Sequence, residues 1–199
     1  MIPTSSAQIL ELHQKYSTSE FNLELVWGHC QAVLAVAQQL MAKTKLNVDP
    51  EIVRAGCLLH DIGVYPLIST DGTVKQGVPY LTHGIVGQKI LNDEGLPEVF
   101  QQICAHHTGV GLSREDVINQ KLPLPVADYT AQTEEELLIM YCDKFHSKTL
   151  PPQFNSFESY REHVSGFGAD KGLKFDEMAA KFGKPELAGL SEKFGFPIH

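Results

Sequence analysis

The amino-acid sequence predicts an all-α fold, on three observations. Over residues 19–45, Val26, His29, Cys30, Val33, Ala37 and Leu40 keep the i, i+3, i+4, i+7 spacing of one helical face. A second run, opened by Asp49-Pro50-Glu51 and closing on His60-Asp61, is apolar on all sides, the pattern of a central helix. No stretch of alternating apolar and polar residues reads as a strand.

Taken in order, residues 5–17 form a short first helix with Ile9, Leu10, Leu12 and Tyr16 apolar. In the long helix that follows, His29 lies on the buried stripe. Asp49 is an acidic N-cap, Pro50 fits the first helical position, and Gly63 is placed to end that helix as a C-terminal glycine. Residues 64–81 carry Pro66, Gly72, Gly77 and Pro79 and read as a long loop, the kind that serves as a lid or binding element. Thr82 is placed to cap the next helix, with His83 in its first turn, while Gly84 and Gly87 allow close backbone approach.

Pro97 opens a further helix that ends at His106-His107-Thr108-Gly109. Ser113-Arg114-Glu115-Asp116 and Thr133-Glu134-Glu135-Glu136 both have the form of capping boxes. The second launches six apolar residues, 137–142, directly followed by Asp143. Pro151-Pro152 marks a boundary, with short helices expected around 156–165, 175–182 and 185–194. Residues 1–149 are therefore expected to form the core. Residues 150–199 are expected to be a helical extension packed on the same domain, placed to cap a site or mediate a homodimer.

With 43% hydrophobic and 20% charged residues, the 199-residue chain has the composition of a globular protein with a sizeable core. No window holds the roughly eighteen apolar residues of a spanning helix, and the N-terminal stretch lacks the layout of a secretory signal. A cytoplasmic protein without a membrane partner is expected. The net charge of -8 argues against a nucleic-acid polymer as partner, but not against a small anion beside bound cations. Cys30, Cys57, Cys104 and Cys142 form no CxxC pair and read as small buried hydrophobes.

The chemistry lies in His29, His60, Asp61, His83, His107 and Asp143. Each sits at a helix end or within a buried helix, where a polar group needs a partner or a metal. Imidazole and carboxylate together suit Mn, Fe, Co, Ni or Zn better than Mg. The set exceeds what one tetrahedral ion requires and fits two ions sharing a carboxylate, with Asp61 as the natural bridge. Two such ions about 3.5–4 Å apart can activate a hydroxide for attack on phosphorus.

The ordered set His29, His60-Asp61, His83, His107, Asp143 resembles the HD-domain superfamily of metal-dependent phosphohydrolases. The phrases CLLHDIG, HGIVGQKIL, HHTGVGLSRED, LPLPVADYTAQTEEELL and CDKF are similar to small HDIG-type proteins of archaea and bacteria. The resemblance spans about residues 8–149. It implies a helical bundle with the metal site between the central helices. It also implies His29, His60, Asp61 and Asp143 around a first metal and His83 and His107 around a second, with Asp61 bridging. His106 competes with His107; the family's His-x-Gly-x-Gly phrase favours His107. Val64 stands where a lysine often follows HDIG in cyclic-dinucleotide phosphodiesterases, and the GYP signature is missing, so cyclic-di-GMP hydrolysis is not expected.

The implied activity is hydrolysis of a small phosphorylated molecule, with a nucleotide as the candidate, by metal-bound hydroxide, with Asp61 or a further carboxylate assisting proton transfer. A di-iron oxygenase and a regulatory module that binds nucleotide without turnover are the alternatives. Lys144 and Lys148, at i, i+4 beyond Asp143, and Arg114 are candidate phosphate contacts, with Arg54 and Lys75 further cations. His13, His146, His163 and His199 have no ligand context and are assigned structural roles.

Overall fold

A computed structural model describes residues 5–199; the first four residues of the expected core lie outside the described residues. Ten α-helices are present among the described residues. They are α1 (Ser6–Tyr16), α2 (Glu20–Lys43), α3 (Pro50–Leu59), α4 (His83–Asp93), α5 (Glu98–His106), α6 (Arg114–Asn119), α7 (Glu134–Asp143), α8 (Phe157–Ser165), α9 (Ala169–Phe182) and α10 (Leu187–Phe194). The one sheet among them is a pair of two-residue strands, β1 (His146–Ser147) and β2 (Gln153–Phe154), antiparallel with His146 opposite Phe154. The fold is all-α.

The centre is α3, which packs against α2, α5 and α7, with α1 across it and α4 against α5. Val53, Ala55, Cys57, Leu58 and Leu59 are all buried, so its all-round apolar character matches its place. Asp49 caps α3 by accepting from the amides of Glu51 and Ile52 at 2.8 and 3.4 Å. All four cysteines are free and buried.

Local details depart from the sequence expectation at three places. The helix α3 stops at Leu59, and Gly63 lies inside a 3-10 segment (Ile62–Leu67), not at a C-cap. A side chain there would strike the His83 carbonyl oxygen and the Gly87 amide, so Gly63 lets this segment lie on α4. Thr82 makes no side-chain cap; its hydroxyl donates to the Pro79 carbonyl at 2.7 Å. Thr133 does accept from the Glu136 amide at 3.2 Å, but the Glu136 carboxylate turns away to His106 and the Gln132 amide. The Ser113–Asp116 box is complete in both directions. The long loop is partly structured, with that 3-10 segment at its start and an Ile68–Val74 bridge behind it.

Beyond Pro151-Pro152, Phe154, Val164, Phe175, Met178, Phe182 and Leu187 join the same contiguous core as α2 and α3. The α9 helix packs on α7, and α10 on α2. The chain end returns beside β2, where the Phe154 amide donates to Pro197 and the His199 amide to Phe154, each at 2.8 Å. No helix among the described residues is long and apolar enough to cross a membrane.

Candidate metal centre

Four helices and the turn after α3 bring the six ligand candidates to one place. His29 lies mid-way along α2, His60 and Asp61 follow the last residue of α3, and His83 is the first residue of α4. His107 directly follows α5, and Asp143 is the last residue of α7. Their side chains form two groups that share Asp61: His29, His60, Asp61 and Asp143, and Asp61, His83 and His107.

The two oxygens of Asp61 face different groups. Oδ2 lies 3.1 Å from His29 Nε2 and 3.5 Å from His60 Nε2, and Asp143 Oδ1 is 3.0 and 3.4 Å from the same two nitrogens. Oδ1 lies 3.6 Å from His83 Nε2 and 3.4 Å from His107 Nε2, which are 2.9 Å from each other. His83 Nδ1 donates to the Tyr80 carbonyl at 2.9 Å and His107 Nδ1 to the Cys104 carbonyl at 2.8 Å. That fixes the tautomer of each neutral ring and leaves Nε2 as a lone pair. Two imidazole lone pairs and the carboxylate oxygen Asp61 Oδ1, buried without a hydrogen-bond partner, thus converge on one point. Such a convergence is repulsive unless a cation lies within it. The donor set fits a divalent metal ion, and backbone carbonyls behind metal-binding imidazoles are the usual support.

The electrostatics agree. Burial and the neighbouring His107 push His83 down to about 3, and burial likewise lowers His107, so both rings are neutral and ready to donate a lone pair. Burial would lower His60 too, but Asp61 and the other anionic neighbours outweigh it and hold its pKa well above the ordinary value. In the first group a proton on His60 therefore offsets charge that a metal ion would otherwise balance. Against the pull of burial, Lys148 and His60 keep Asp61 well below the usual carboxylate range, and Lys144 does the same for Asp143.

The remaining candidates separate clearly. The His106 ring donates from Nδ1 to Glu136 at 2.7 Å and stands outside both groups. The helix α7 ends at Asp143, so Lys144 and Lys148 do not share a helical face. Both nevertheless reach the centre, Lys144 Nζ at 2.6 Å from Asp143 and 2.9 Å from the His107 carbonyl, and Lys148 paired with Asp61. Arg114 is exposed on α6 and is absent from the cavity wall, Arg54 pairs with Glu51 at 2.9 Å, and Lys75 donates to Pro66 at 2.8 Å.

His13 is a satisfied core histidine, bonded to the Tyr65 hydroxyl at 2.8 Å and the Leu58 carbonyl at 2.7 Å. His146 is a residue the sequence reading missed, for its Nδ1 lies 2.9 Å from His29 Nδ1, directly behind the centre. Its position three residues beyond Asp143 was the one available signal. The centre opens on a cavity of about 1040 Å³, whose wall includes His83, His107, Asp143, both lysines, Tyr80, Asn155, Tyr160, His163 and His199.

Residues 26–148 match the family model of the HD domain. The chain belongs to the HD-domain family. Among its relatives, a tRNA (cytidine(56)-2'-O)-methyltransferase of Thermoplasma volcanium is 29% identical over 184 residues, 92% of this chain but 43% of that protein. An uncharacterized protein of Methanocaldococcus jannaschii is 36% identical over 123 residues, 60% of this chain and 65% of the other. The chain thus spans less than two thirds of either relative's own length. The HD domain of the L. monocytogenes phosphodiesterase PgpH, solved with cyclic-di-AMP, is similar in fold, with a TM-score of 0.57 at 18% identity, covering 93% of this chain and 96% of that one.

Proposed function

We propose that this HD-domain protein hydrolyses a small phosphorylated molecule, with a nucleotide as the substrate class, using two divalent cations from Mn, Fe, Co, Ni and Zn. The observation that carries the reading is the division of Asp61, one oxygen to each ligand group, behind a cavity whose wall includes His83, His107 and Asp143. In this assignment His29, His60 and Asp143 hold the first ion, His83 and His107 the second, and Asp61 both. Cations held there would polarise phosphoryl oxygens and lower the pKa of a bound water.

The chain's own residues do the rest. The carbonyls of Cys57, Tyr80 and Cys104 lock His60, His83 and His107 with Nε2 inward. Lys144, bonded to the backbone, fixes Asp143 and offsets its charge. Asp61, with one oxygen turned to each group and its pKa held well below the usual carboxylate range, serves as the shared ligand, and the proton of the attacking water is left to a further carboxylate. The cavity exceeds the volume of a phosphate several-fold, and Tyr80 and Tyr160 bring aromatic surface to its wall.

The methyl transfer printed in the relative's name is not proposed for this chain. More than half of the Thermoplasma protein lies outside the shared segment, and a cluster of imidazole and carboxylate lone pairs is suited to cations. The test is elemental analysis of the purified protein, followed by phosphate release from a nucleotide panel with the identified ion. The expected result is turnover that vanishes, together with bound metal, in Asp61→Asn. Turnover retained in that variant would refute the assignment, as would oxygen consumption by an iron-loaded protein without phosphate release.

A further inference from the structure

Two lysines flank the centre, but they are held in different ways. The Lys144 ammonium is fixed from two sides, by Asp143 at 2.6 Å and by the His107 backbone carbonyl at 2.9 Å. The Lys148 ammonium has no such backbone anchor among the described residues. Its hydrogen-bond partner is the buried Asp61 carboxylate, and Tyr80, on the cavity wall, lies beside it. The oxygen it pairs with is Oδ2, the one facing His29 and His60 at 3.1 and 3.5 Å. Lys148 thus holds the oxygen that a cation in the first group needs.

We infer that Lys148 is a displaceable counter-ion: it neutralises Asp61 until a divalent cation binds there, and once released it serves as the phosphate-binding cation of the cavity. The inference rests on the phosphohydrolase reading and deepens it by adding a residue that couples metal loading to anion binding. Three features support it. Like charges cannot share Asp61 Oδ2 at close range without strong repulsion, so metal binding moves the ammonium off. The lysine stem is four carbons long and flexible, which lets the head group move while the backbone stays. Lys148 follows β1 and is itself part of the cavity wall, so the released ammonium remains where a substrate phosphoryl group would lie.

This coupling makes opposite predictions for two ligands. Removing the ammonium eliminates a competitor and a like charge from the metal site, so Mn2+ should bind more tightly. The same change takes a cation from the cavity, so anions should bind more weakly. The test is calorimetric titration of metal-free protein with Mn2+, then of Mn2+-loaded protein with inorganic phosphate, for the wild type and Lys148→Met. The expected result is Mn2+ affinity at the first site raised about tenfold or more and phosphate affinity lowered about tenfold or more. Lys148→Arg should restore phosphate binding.

Unchanged or weakened Mn2+ binding in Lys148→Met would overturn the inference, and so would unchanged phosphate affinity. Circular dichroism checks the fold, and Lys148→Gln is read by the same criteria if the methionine variant fails to fold. Neither titration needs turnover. A protein that shows both shifts but hydrolyses nothing would sink the phosphohydrolase reading and leave Lys148 as the coupling residue, and active enzyme without the shifts would do the reverse.

Discussion

Replacing Gly63 with alanine tests how the fold holds the second ligand group. The new Cβ would fall on the His83 carbonyl oxygen and the Gly87 amide, and would lie 2.8 Å from Gly87 Cα. These are backbone atoms, so no side-chain rotation relieves the overlap, and the 3-10 segment must move off α4. Overpacking costs about 1–3 kcal/mol, and a backbone clash belongs at the upper end, about 3 kcal/mol. At about 2–4 °C per kcal/mol for a chain of this size, the midpoint should fall by about 6–12 °C. Because α4 begins at His83, the shift also pulls that ring from His107 and Asp61. Scanning calorimetry reads the first effect. Elemental analysis reads the second, as the loss of one bound ion with the His29–His60–Asp143 group still loaded. A midpoint within about 2 °C of the wild type, with metal content intact, would refute this account of Gly63.

Three further outcomes follow from the geometry. His107→Gln should lose an ion, whereas His106→Gln should keep full metal content and lose only about 1 kcal/mol of stability, since Glu136 retains the Gln132 amide. His146→Ala removes the acceptor behind His29 and should weaken metal binding at the first group about ten- to a hundredfold, measured by competition with a chelating dye. Burial lowers His13 from 6.5 to about 4, so the folded state refuses a proton that the unfolded chain accepts. That stability is whole above pH 6.5 and is lost as pH falls towards 4, by about 3 kcal/mol in all. Urea unfolding across that range should show a shallower slope in His13→Gln, and an identical slope would contradict the assignment.

Features that depend on near neighbours in sequence were legible. The Asp49 cap, the Ser113–Asp116 box and the ends of α2 and α5 follow from residues within one turn of each other. Features decided by distant partners were not. Gly63 reads as a helix stop until α4 is seen to lie on it. Glu136 reads as the second half of a capping box until His106, thirty residues earlier, takes its carboxylate. His146 shows no ligand context in sequence because the ring it supports, His29, is 117 residues away. The six ligand candidates were readable because His29, His60-Asp61 and Asp143 interrupt apolar runs and His83 and His107 stand at helix ends. Which oxygen of Asp61 faces which group was not, because that is set by the turn leaving α3.

That turn also decides between a structural and a metal-binding reading of the cluster. His60 retains helical dihedrals, but Asp61 departs to φ -107° and ψ 12°, and the 3-10 segment starts at the next residue. The departure sends the carboxylate to a point between two sets of imidazoles instead of along the flank of α3. A histidine kept for packing alone looks like His13, whose two ring nitrogens each have a hydrogen-bond partner. His83 and His107 are equally inaccessible, yet each has one nitrogen satisfied by a carbonyl and the other facing a lone pair. A core selected for stability would place an N–H between them, because a buried acceptor without a donor is destabilising. His146 Nε2 is buried without a partner as well, but it stands alone; what sets His83 and His107 apart is that their free nitrogens face each other and the unpartnered oxygen of Asp61.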